Sequence, residues 1–250
     1  MKRILVSNDD GIHAPGIKAL AGGLEGAGEI SVMAPLTEQS ATSHSLTLHR
    51  PLRIREMGER TFAVEGTPTD CVLVGVRKFL GHQPDLVASG INQGPNMGED
   101  VLYSGTVAAA MEGALLGIPA VAFSLASWEF ADFAPAADIA RRLVSRFLEL
   151  DLPSRLLVNV NIPAVPADEI RGFRVTRLGT RVYNDAIVEK TDPRGRPYYW
   201  IGGAAPSWER SHDTDFAAVE EGYVSLTPLL LDITDSSGFE FLNRLELSSQ

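Results

Sequence analysis

The fold is decided near the start of the chain by residues 4–11, which read Ile4-Leu5-Val6-Ser7-Asn8-Asp9-Asp10-Gly11. The apolar run that opens this stretch has the length of a short buried strand, and it stops at a polar cluster. Apolar residues at helical spacing follow at Ile17, Leu20 and Leu24, and a second apolar run covers residues 29–34. The pattern predicts a β-α-β unit with parallel strands and a right-handed crossover.

The same alternation of strands and helices continues outward from this unit to about residue 163. Extended segments are expected at 46–55 and 61–65, further strands at 85–89, 120–124 and 156–162, and helices at 68–80, 104–116 and 138–150. The helix at 68–80 has a strong start signal, because Thr67, Pro68 and Asp70 match an N-cap, a proline at the first helical position and a capping-box acid. We therefore predict a doubly wound, mostly parallel Rossmann-like α/β sheet over residues 1–163.

The pattern changes in residues 164–250, which we expect to be a hairpin-rich C-terminal part of one single domain, 1–250. Exposed strands are predicted at 173–178, 182–189 and 198–201, a helix end at 219–222 and a returning strand at 223–227. Apolar residues also recur at 229–231 and 239–247. An apolar tail outside the sheet needs a partner surface, so it predicts oligomerisation.

Composition excludes several classes of protein. The 250 residues carry 22 Lys and Arg against 32 Asp and Glu, a formal charge of −10, which argues against a nucleic-acid polymer as partner. Cys71 is the one cysteine, so disulfides and thiolate metal sites are excluded; we expect it buried in the helix after Thr67 and the chain in the cytoplasm. The longest apolar runs fall short of the roughly 18–20 residues that a membrane span needs. The apolar run at the N-terminus is too short for a signal peptide.

Polar groups that follow predicted strands indicate where chemistry takes place. They occupy residues 8–11 after the first strand, 38–40 after the second and 92–96 after the strand at 85–89. Ligands bind at the carboxyl ends of parallel strands, where such loops converge. The negative charges of the adjacent Asp9 and Asp10 repel each other, and a bound cation would relieve this repulsion. Because the side chains of these loops offer oxygen donors, the pattern favours Mg²⁺ or Mn²⁺. The alternative is that one of these aspartates only caps the following helix.

A second candidate feature is the helix start Tyr103-Ser104-Gly105-Thr106-Val107. Its small residues, hydroxyls and backbone N–H groups suit a phosphate, although an ordinary Ser or Thr N-cap is the alternative. A divalent ion beside an anion-binding helix start implies phosphate-ester chemistry. The glycines do not form a dinucleotide fingerprint or a P-loop, and no Gly-x-Ser-x-Gly elbow occurs.

These motifs together resemble the SurE family, the survival-protein-E nucleotidases that remove phosphate from nucleoside monophosphates. The matching segments are Ser7-Asn8-Asp9-Asp10-Gly11, Ala14-Pro15-Gly16, Gln39-Ser40, Gly66-Thr67-Pro68-Thr69-Asp70-Cys71, Ser89-Gly90-Ile91-Asn92, Tyr103-Ser104-Gly105-Thr106-Val107, Asn159-Val160-Asn161, Tyr198-Tyr199-Trp200 and Thr214-Asp215. The resemblance covers nearly the whole chain.

The resemblance implies one divalent metal ion per subunit, Mg²⁺ or Mn²⁺, held by Asp9, Asp10, Ser40 and Asn92. It places the phosphate at Asn96, Ser104, Gly105 and Thr106, and it implies dimers or tetramers that exchange C-terminal elements. The family pattern often reads Ser-Asn-Ser where this chain has Ser43-His44-Ser45. His44 is therefore a candidate substrate contact or proton-transfer group, and the sequence does not decide between these roles.

The resulting hypothesis is a metal-dependent phosphomonoesterase for nucleoside 5′-monophosphates, with 3′-monophosphates as an open second class. Asp9 and Asp10 are the expected catalytic residues, with attack by a metal-activated water and Asp10 handling a proton. Direct attack by Asp9 is the rival mechanism, and it is disfavoured because Gly11 stands where an aspartyl phosphatase has its acid/base. The sequence is also compatible with a non-catalytic nucleotide or phosphate sensor and with a structural oligomer. The scattered aromatic residues give no single candidate for stacking on a base.

Overall fold

Thirteen strands and six helices make up the part of the chain that the structure, a computed structural model, describes: residues 1–129, 132–182, 187–201, 207–209 and 211–245. The strands are β1 (Arg3–Ser7), β2 (Glu29–Pro35), β3 (Ile54–Gly58), β4 (Thr61–Val64), β5 (Leu86–Gln93), β6 (Ala120–Ala126), β7 (Leu157–Pro163), β8 (Phe173–Val175), β9 (Arg181–Val182), β10 (Ile187–Thr191), β11 (Pro197–Ile201), β12 (Ser207–Trp208) and β13 (Val224–Pro228). The helices are α1 (Pro15–Gly23), α2 (Pro68–Val74), α3 (Gly105–Leu115), α4 (Ala134–Glu149), α5 (Asp215–Glu220) and α6 (Gly238–Asn243). A π-helical turn, Gly75–Phe79, continues α2.

Nine of these strands form one sheet in the order β3-β4-β2-β1-β5-β6-β7-β13-β8. The six strands from β4 to β7 in this order are parallel to one another. The strands β3 and β13 are antiparallel to β4 and β7 respectively, and β8 is parallel to β13. The predicted doubly wound, mostly parallel α/β sheet is confirmed.

The strand order reverses direction between β1 and β5. From β1 the chain proceeds to β2 and then to β4 on one side, and it returns through α2 to place β5 on the other side of β1. The loops that leave the carboxyl ends of β1 and β5 therefore diverge, because their crossovers lie on different faces. This divergence opens a crevice, which is where ligands bind in sheets of this type.

Helices cover both faces of the sheet and bury the central strands completely. One core cluster packs α1 and α4 against the sheet through side chains such as Ile17 and Ile139. The other packs α2 and α3 through Val72, Val107 and Cys71, which is fully buried as predicted. The strand β7 is buried along its whole length, as expected where both faces of a sheet are covered.

The two helix starts singled out in the sequence form as predicted. At α2, the Thr67 hydroxyl accepts a hydrogen bond from the Asp70 backbone N–H, and the Asp70 carboxylate accepts one from the Thr67 backbone N–H. At α3, the Ser104 hydroxyl accepts from the backbone N–H of Val107, 3.1 Å away. Both caps satisfy N–H groups that have no partner inside the helix.

Some predicted boundaries are wrong. The strand expected at 85–89 extends to Gln93, because its pairing with β6 resumes at Asn92 after an irregularity that follows Ser89. Asn92 therefore lies within β5 rather than in the loop beyond it. Residues 46–53 form no strand, and the strand pairing begins only at Ile54. The helix predicted from residue 138 begins one turn earlier, at Ala134.

The C-terminal part forms the predicted hairpin and also contributes to the main sheet. The hairpin pairs β10 with β11 in antiparallel register, and its residues are exposed. The returning strand β13 is inserted between β7 and β8, so residues beyond 163 complete one end of the sheet. Parts of two expectations, at 183–186 and 246–247, lie outside the described residues. Within the described part, no helix is long and apolar enough to span a membrane.

Candidate active site

The loop after β1 is tied to the loop after β2 by backbone hydrogen bonds. The side-chain amide of Asn8 donates to the carbonyl of Gly11, 3.0 Å away, and closes the turn. Gly11 adopts a φ of +96°, which strains any residue with a side chain. The backbone N–H of Gln39 donates to the carbonyl of Asp9 at 2.8 Å. The aspartate pair and the segment that carries Ser40 are therefore held side by side.

Asp9 is held by the first turn of α3. The Thr106 hydroxyl donates to the Asp9 carboxylate, and the Thr106 backbone N–H adds a second hydrogen bond. Gly105 allows this approach, because a Cβ at that position would lie 2.6 Å from the Cβ of Asp9. The resemblance assigned Gly105 and Thr106 to the phosphate, and the structure places both against a carboxylate.

A cavity of about 600 Å³ opens at this end of the sheet, beside the reversal of strand order. Six of the nine candidate site residues line it, namely Asp9, Asp10, Ser40, Asn92, Asn96 and Ser104. Asp9 and Asp10 follow β1, Asn92 is the last but one residue of β5, and Ser104 is the N-cap of α3. The cavity therefore lies where the sequence placed the chemistry, and its volume is typical of a small-molecule site.

The cavity is strongly acidic at its polar end. Burial raises the pKa of Asp10 to about 6, and repulsion from Asp9 and Glu38 adds to this effect, while a backbone hydrogen bond from Gln93 opposes it. Burial also raises the pKa of Asp9 above its ordinary value, although the Thr106 hydroxyl lowers it in part. Both pKa shifts arise mainly because the carboxylates have been moved out of water, and neighbouring carboxylates add to each shift.

The donors around this acidic end suit a hard divalent cation. The side-chain amide nitrogen of Asn92 donates to the carbonyl of Gly94 at 2.8 Å, which leaves its amide oxygen available to a cation. The Ser40 hydroxyl lies 2.7 Å from a carboxylate oxygen of Glu38. No three His, Cys, Asp or Glu side chains of the described residues gather into a metal site, so the Ser and Asn oxygens are needed beside the aspartate pair. An all-oxygen set of this kind fits Mg²⁺ or Mn²⁺.

Neither aspartate caps the following helix, so that alternative is wrong. The helix α1 begins at Pro15 with Ala14 as its N-cap, and no side chain caps it. Asp9 and Asp10 instead line the cavity.

Asn96 is fixed by a buried amide network. Its backbone N–H donates to the Asn161 side-chain oxygen at 2.8 Å, and its carbonyl accepts from the side-chain amides of Asn159 and Asn161. Its own side-chain amide donates to the Ser124 hydroxyl, also at 2.8 Å. Because Asn159 and Asn161 lie on β7 and Ser124 on β6, the neighbouring strands position Asn96 at the cavity wall.

Comparison with known proteins identifies the family. Residues 4–185 match the family model described as Survival protein SurE. The chain belongs to the SurE family. A relative from Gemmatimonas aurantiaca named 5′-nucleotidase SurE is 56% identical over 236 residues, which are 93% of this chain and 94% of the relative. A relative of the same name from Syntrophotalea carbinolica is 51% identical over 247 residues, 98% of each chain. The crystal structure of the SurE protein from Aquifex aeolicus matches with a TM-score of 0.87 at 42% identity, over 98% of this chain and 99% of the other.

Membership of the SurE family confirms the predicted resemblance. The structure also shows the surroundings of His44, the residue at which this chain departs from the family pattern. The His44 ring lies 3.0 Å from the carboxylate of Glu112 on α3, and His44 does not line the cavity. Glu112 is largely buried, so the imidazole gives it a partner. The described geometry therefore connects His44 with the anchoring of the Ser40 loop on α3.

Sequence reasoning missed several residues of this SurE-family cavity. Glu38 lies in the polar stretch 38–40 that the sequence analysis singled out, but it was not among the candidate site residues, and it adds a third carboxylate to the cavity wall. Arg181 is the one Lys or Arg among the described lining residues, and its guanidinium contacts the Asp100 carboxylate at 2.5 and 2.6 Å. Trp128 and Tyr103 line the cavity and are exposed. No local motif connects Arg181 with Asp100, because the sequence separates them by 81 residues.

Proposed function

We propose that this chain is a metal-dependent phosphomonoesterase that hydrolyses nucleoside 5′-monophosphates to nucleoside and inorganic phosphate. The observation that carries the proposal is the convergence of Asp9, Asp10 and Asn92 in one cavity, beside the first turn of α3. The substrate class is supported by relatives named 5′-nucleotidase SurE that align over nearly the whole chain.

One divalent cation, Mg²⁺ or Mn²⁺, would be held by oxygens of Asp9, Asp10, Ser40 and Asn92. Such an ion, when bound, neutralises charge on the phosphoryl oxygens and activates a water molecule for attack on phosphorus. The acidity of the site gives this assignment its physical basis, since the surrounding carboxylates repel a free phosphate.

The chain's own residues then have distinct roles. Thr106 and the first turn of α3 hold Asp9 in place, so Asp9 is a fixed ligand rather than the attacking group. Asn96 and Ser104 face the cavity and would contact the phosphate, with Gly105 beside them. Asp10 lines the cavity without a comparable side-chain anchor, and we assign to it the proton of the attacking water.

The direct test is release of inorganic phosphate from AMP and GMP in the presence of Mn²⁺ or Mg²⁺. We expect a chelator to abolish release and either ion to restore it. Nucleotide binding without phosphate release would instead identify a sensor and contradict the proposal. Acid-quench trapping of a phosphorylated Asp9 would overturn the water mechanism while leaving the phosphatase function intact. Assay of 3′-AMP beside 5′-AMP decides whether 3′-monophosphates are also substrates.

We propose that the protein forms homo-dimers or homo-tetramers through its C-terminal part. The support is apolar exposure, since Ile187, Trp200 and Ile201 of the hairpin and Ile233 and Phe241 of the tail are all exposed. Light scattering after size-exclusion chromatography tests this proposal in the full chain and after removal of residues 232–250. The cut follows Leu231 because Leu229 and Leu231 pack against the core. A monomeric full chain would contradict the proposal. Cytoplasmic location stays a prediction from composition.

A further inference from the structure

The cavity has an apolar part beyond Asn92. The carboxyl ends of the strands order the site residues along the edge of the sheet, with Ser40 after β2, the aspartates after β1, Asn92 on β5 and Trp128 after β6. Trp128 is therefore on the far side of Asn92 from the other proposed cation ligands. Pro95 follows the Gly94 on which Trp128 packs, and it also lines the cavity and adds apolar surface there. A ligand that spans the cavity meets charge at one end and an aromatic ring at the other.

The ring of Trp128 packs on backbone although the side chain is exposed. The ring packs on Gly94, and an added Cβ at that position would lie 2.5 Å from the indole. Gly94 also has a φ of +106°, so both the space and the backbone conformation require glycine. Gly94 is itself held, because its backbone N–H donates to the Leu125 carbonyl at 3.0 Å and its carbonyl accepts from the Asn92 amide. A large apolar side chain that is 69% exposed and still packed on a rigid backbone offers a flat surface for a ligand.

We infer that Trp128 is the nucleobase-stacking residue of this site, so that it selects nucleoside monophosphates over phosphate esters that lack a base. The inference rests on the proposed phosphomonoesterase function. Stacking tolerates every base, because each has a π-face, so the residue recognises the presence of a base rather than its identity. Tyr103 is the other exposed aromatic residue of the cavity, but it directly precedes Ser104 at the phosphate end.

The kinetic test compares AMP with ribose 5-phosphate, which keeps the phosphate and ribose and lacks the base. Removal of a stacked aromatic ring weakens binding by about 5- to 150-fold. We expect Trp128→Ala to lower kcat/KM for AMP by about tenfold or more, mainly through KM, and to leave kcat/KM for ribose 5-phosphate within about twofold. Trp128→Phe should restore much of the loss. An equal decrease for both substrates would show that Trp128 only supports Gly94 and Asn92, and it would overturn the inference, as would no change for either.

A fluorescence test gives a readout that does not depend on turnover. The chain has three tryptophans, and Trp208 is stacked on Phe216 while Trp200 is exposed on the hairpin. The measurement uses Mg²⁺ in the buffer and excitation at the red edge of tryptophan absorption. Stopped-flow mixing with AMP should quench the fluorescence of Trp128 before product accumulates, whereas mixing with ribose 5-phosphate should not. The matched control Trp200→Phe, which removes a 62% exposed tryptophan, should keep the quenching, and Trp128→Phe should lose it.

The two proposals fail in different ways. If the wild-type protein releases phosphate from neither substrate, the proposed function is wrong, and the quenching experiment still decides whether AMP stacks on Trp128. If phosphate is released from both and quenching survives in Trp128→Phe, the stacking inference is wrong and the phosphatase stands.

Discussion

Substitution of Gly105 by alanine tests how closely α3 must approach Asp9. A Cβ at position 105 would lie 2.6 Å from the Cβ of Asp9 and 2.9 Å from its carboxylate oxygen Oδ2. An ordinary carbon–carbon contact starts near 3.4 Å, so the aspartate or the helix must move by at least 3.4 − 2.6 = 0.8 Å. A displacement of this size strains the Thr106–Asp9 hydrogen bonds that fix the carboxylate.

We expect Gly105→Ala to reduce kcat/KM for AMP by about 10²-fold, the effect of a misplacement near 1 Å. Overpacking should also lower the free energy of unfolding by about 1–3 kcal/mol. Phosphate release and thermal unfolding, measured on the same preparation, give both values. The matched control is Gly22→Ala, a helical glycine in α1 with nothing within 4 Å of an added Cβ, and it should keep full activity. A fully active Gly105→Ala variant would refute the idea that the cavity depends on this close contact.

The remaining predictions concern other side chains and the cation. Asp9→Asn and Asp10→Asn should each reduce turnover by about 10²-fold or more with the far-UV circular dichroism unchanged, and full activity in either variant would remove that residue from the site. Dialysis against a chelator should abolish phosphate release reversibly, and activity that persists in metal-free buffer would contradict cation dependence. His44→Ala should lower the free energy of unfolding by about 1–2 kcal/mol, because the buried Glu112 carboxylate loses its partner. It should leave kcat within a few-fold of the wild-type value, and a large loss of kcat would show that His44 takes part in catalysis. Asp215→Ala should destabilise by about 3 kcal/mol or more, since its carboxylate accepts three backbone N–H groups, and an unchanged melting temperature would contradict that role.

The position of the site was predictable from the sequence, because it depends on strand order rather than on side-chain detail. Asp9 follows one predicted strand and Asn92 follows another, so both were expected at the same edge of a parallel sheet. The contact between Thr106 and Asp9 was not predictable. The position of Thr106 at the start of a helix suits a phosphate contact. Its hydroxyl donates to Asp9 because Gly105 allows the first turn of α3 to approach that carboxylate closely.

The C-terminal end of the sheet was harder to predict for a different reason. The strand β13 reads as one more short segment with buried polar residues, Ser225 and Thr227, and nothing in its pattern indicates its neighbours. Its pairing with β7 and β8 is set by tertiary contacts such as the 2.7 Å hydrogen bond between the hydroxyls of Thr176 and Thr227. Trp128 was not predicted either, because the position of its ring depends on packing against Gly94, which is distant in sequence and adjacent in space.

The proposed function depends above all on a catalytic cation in the cavity between β1 and β5, held by oxygens of Asp9, Asp10, Ser40 and Asn92. Anomalous diffraction from crystals grown with Mn²⁺ locates such an ion without reference to activity. We predict one anomalous peak per subunit within about 2.5 Å of oxygen atoms from these four side chains. A peak bound elsewhere, or a cavity with no peak at saturating Mn²⁺ in a protein that releases phosphate, would contradict the proposed cation site.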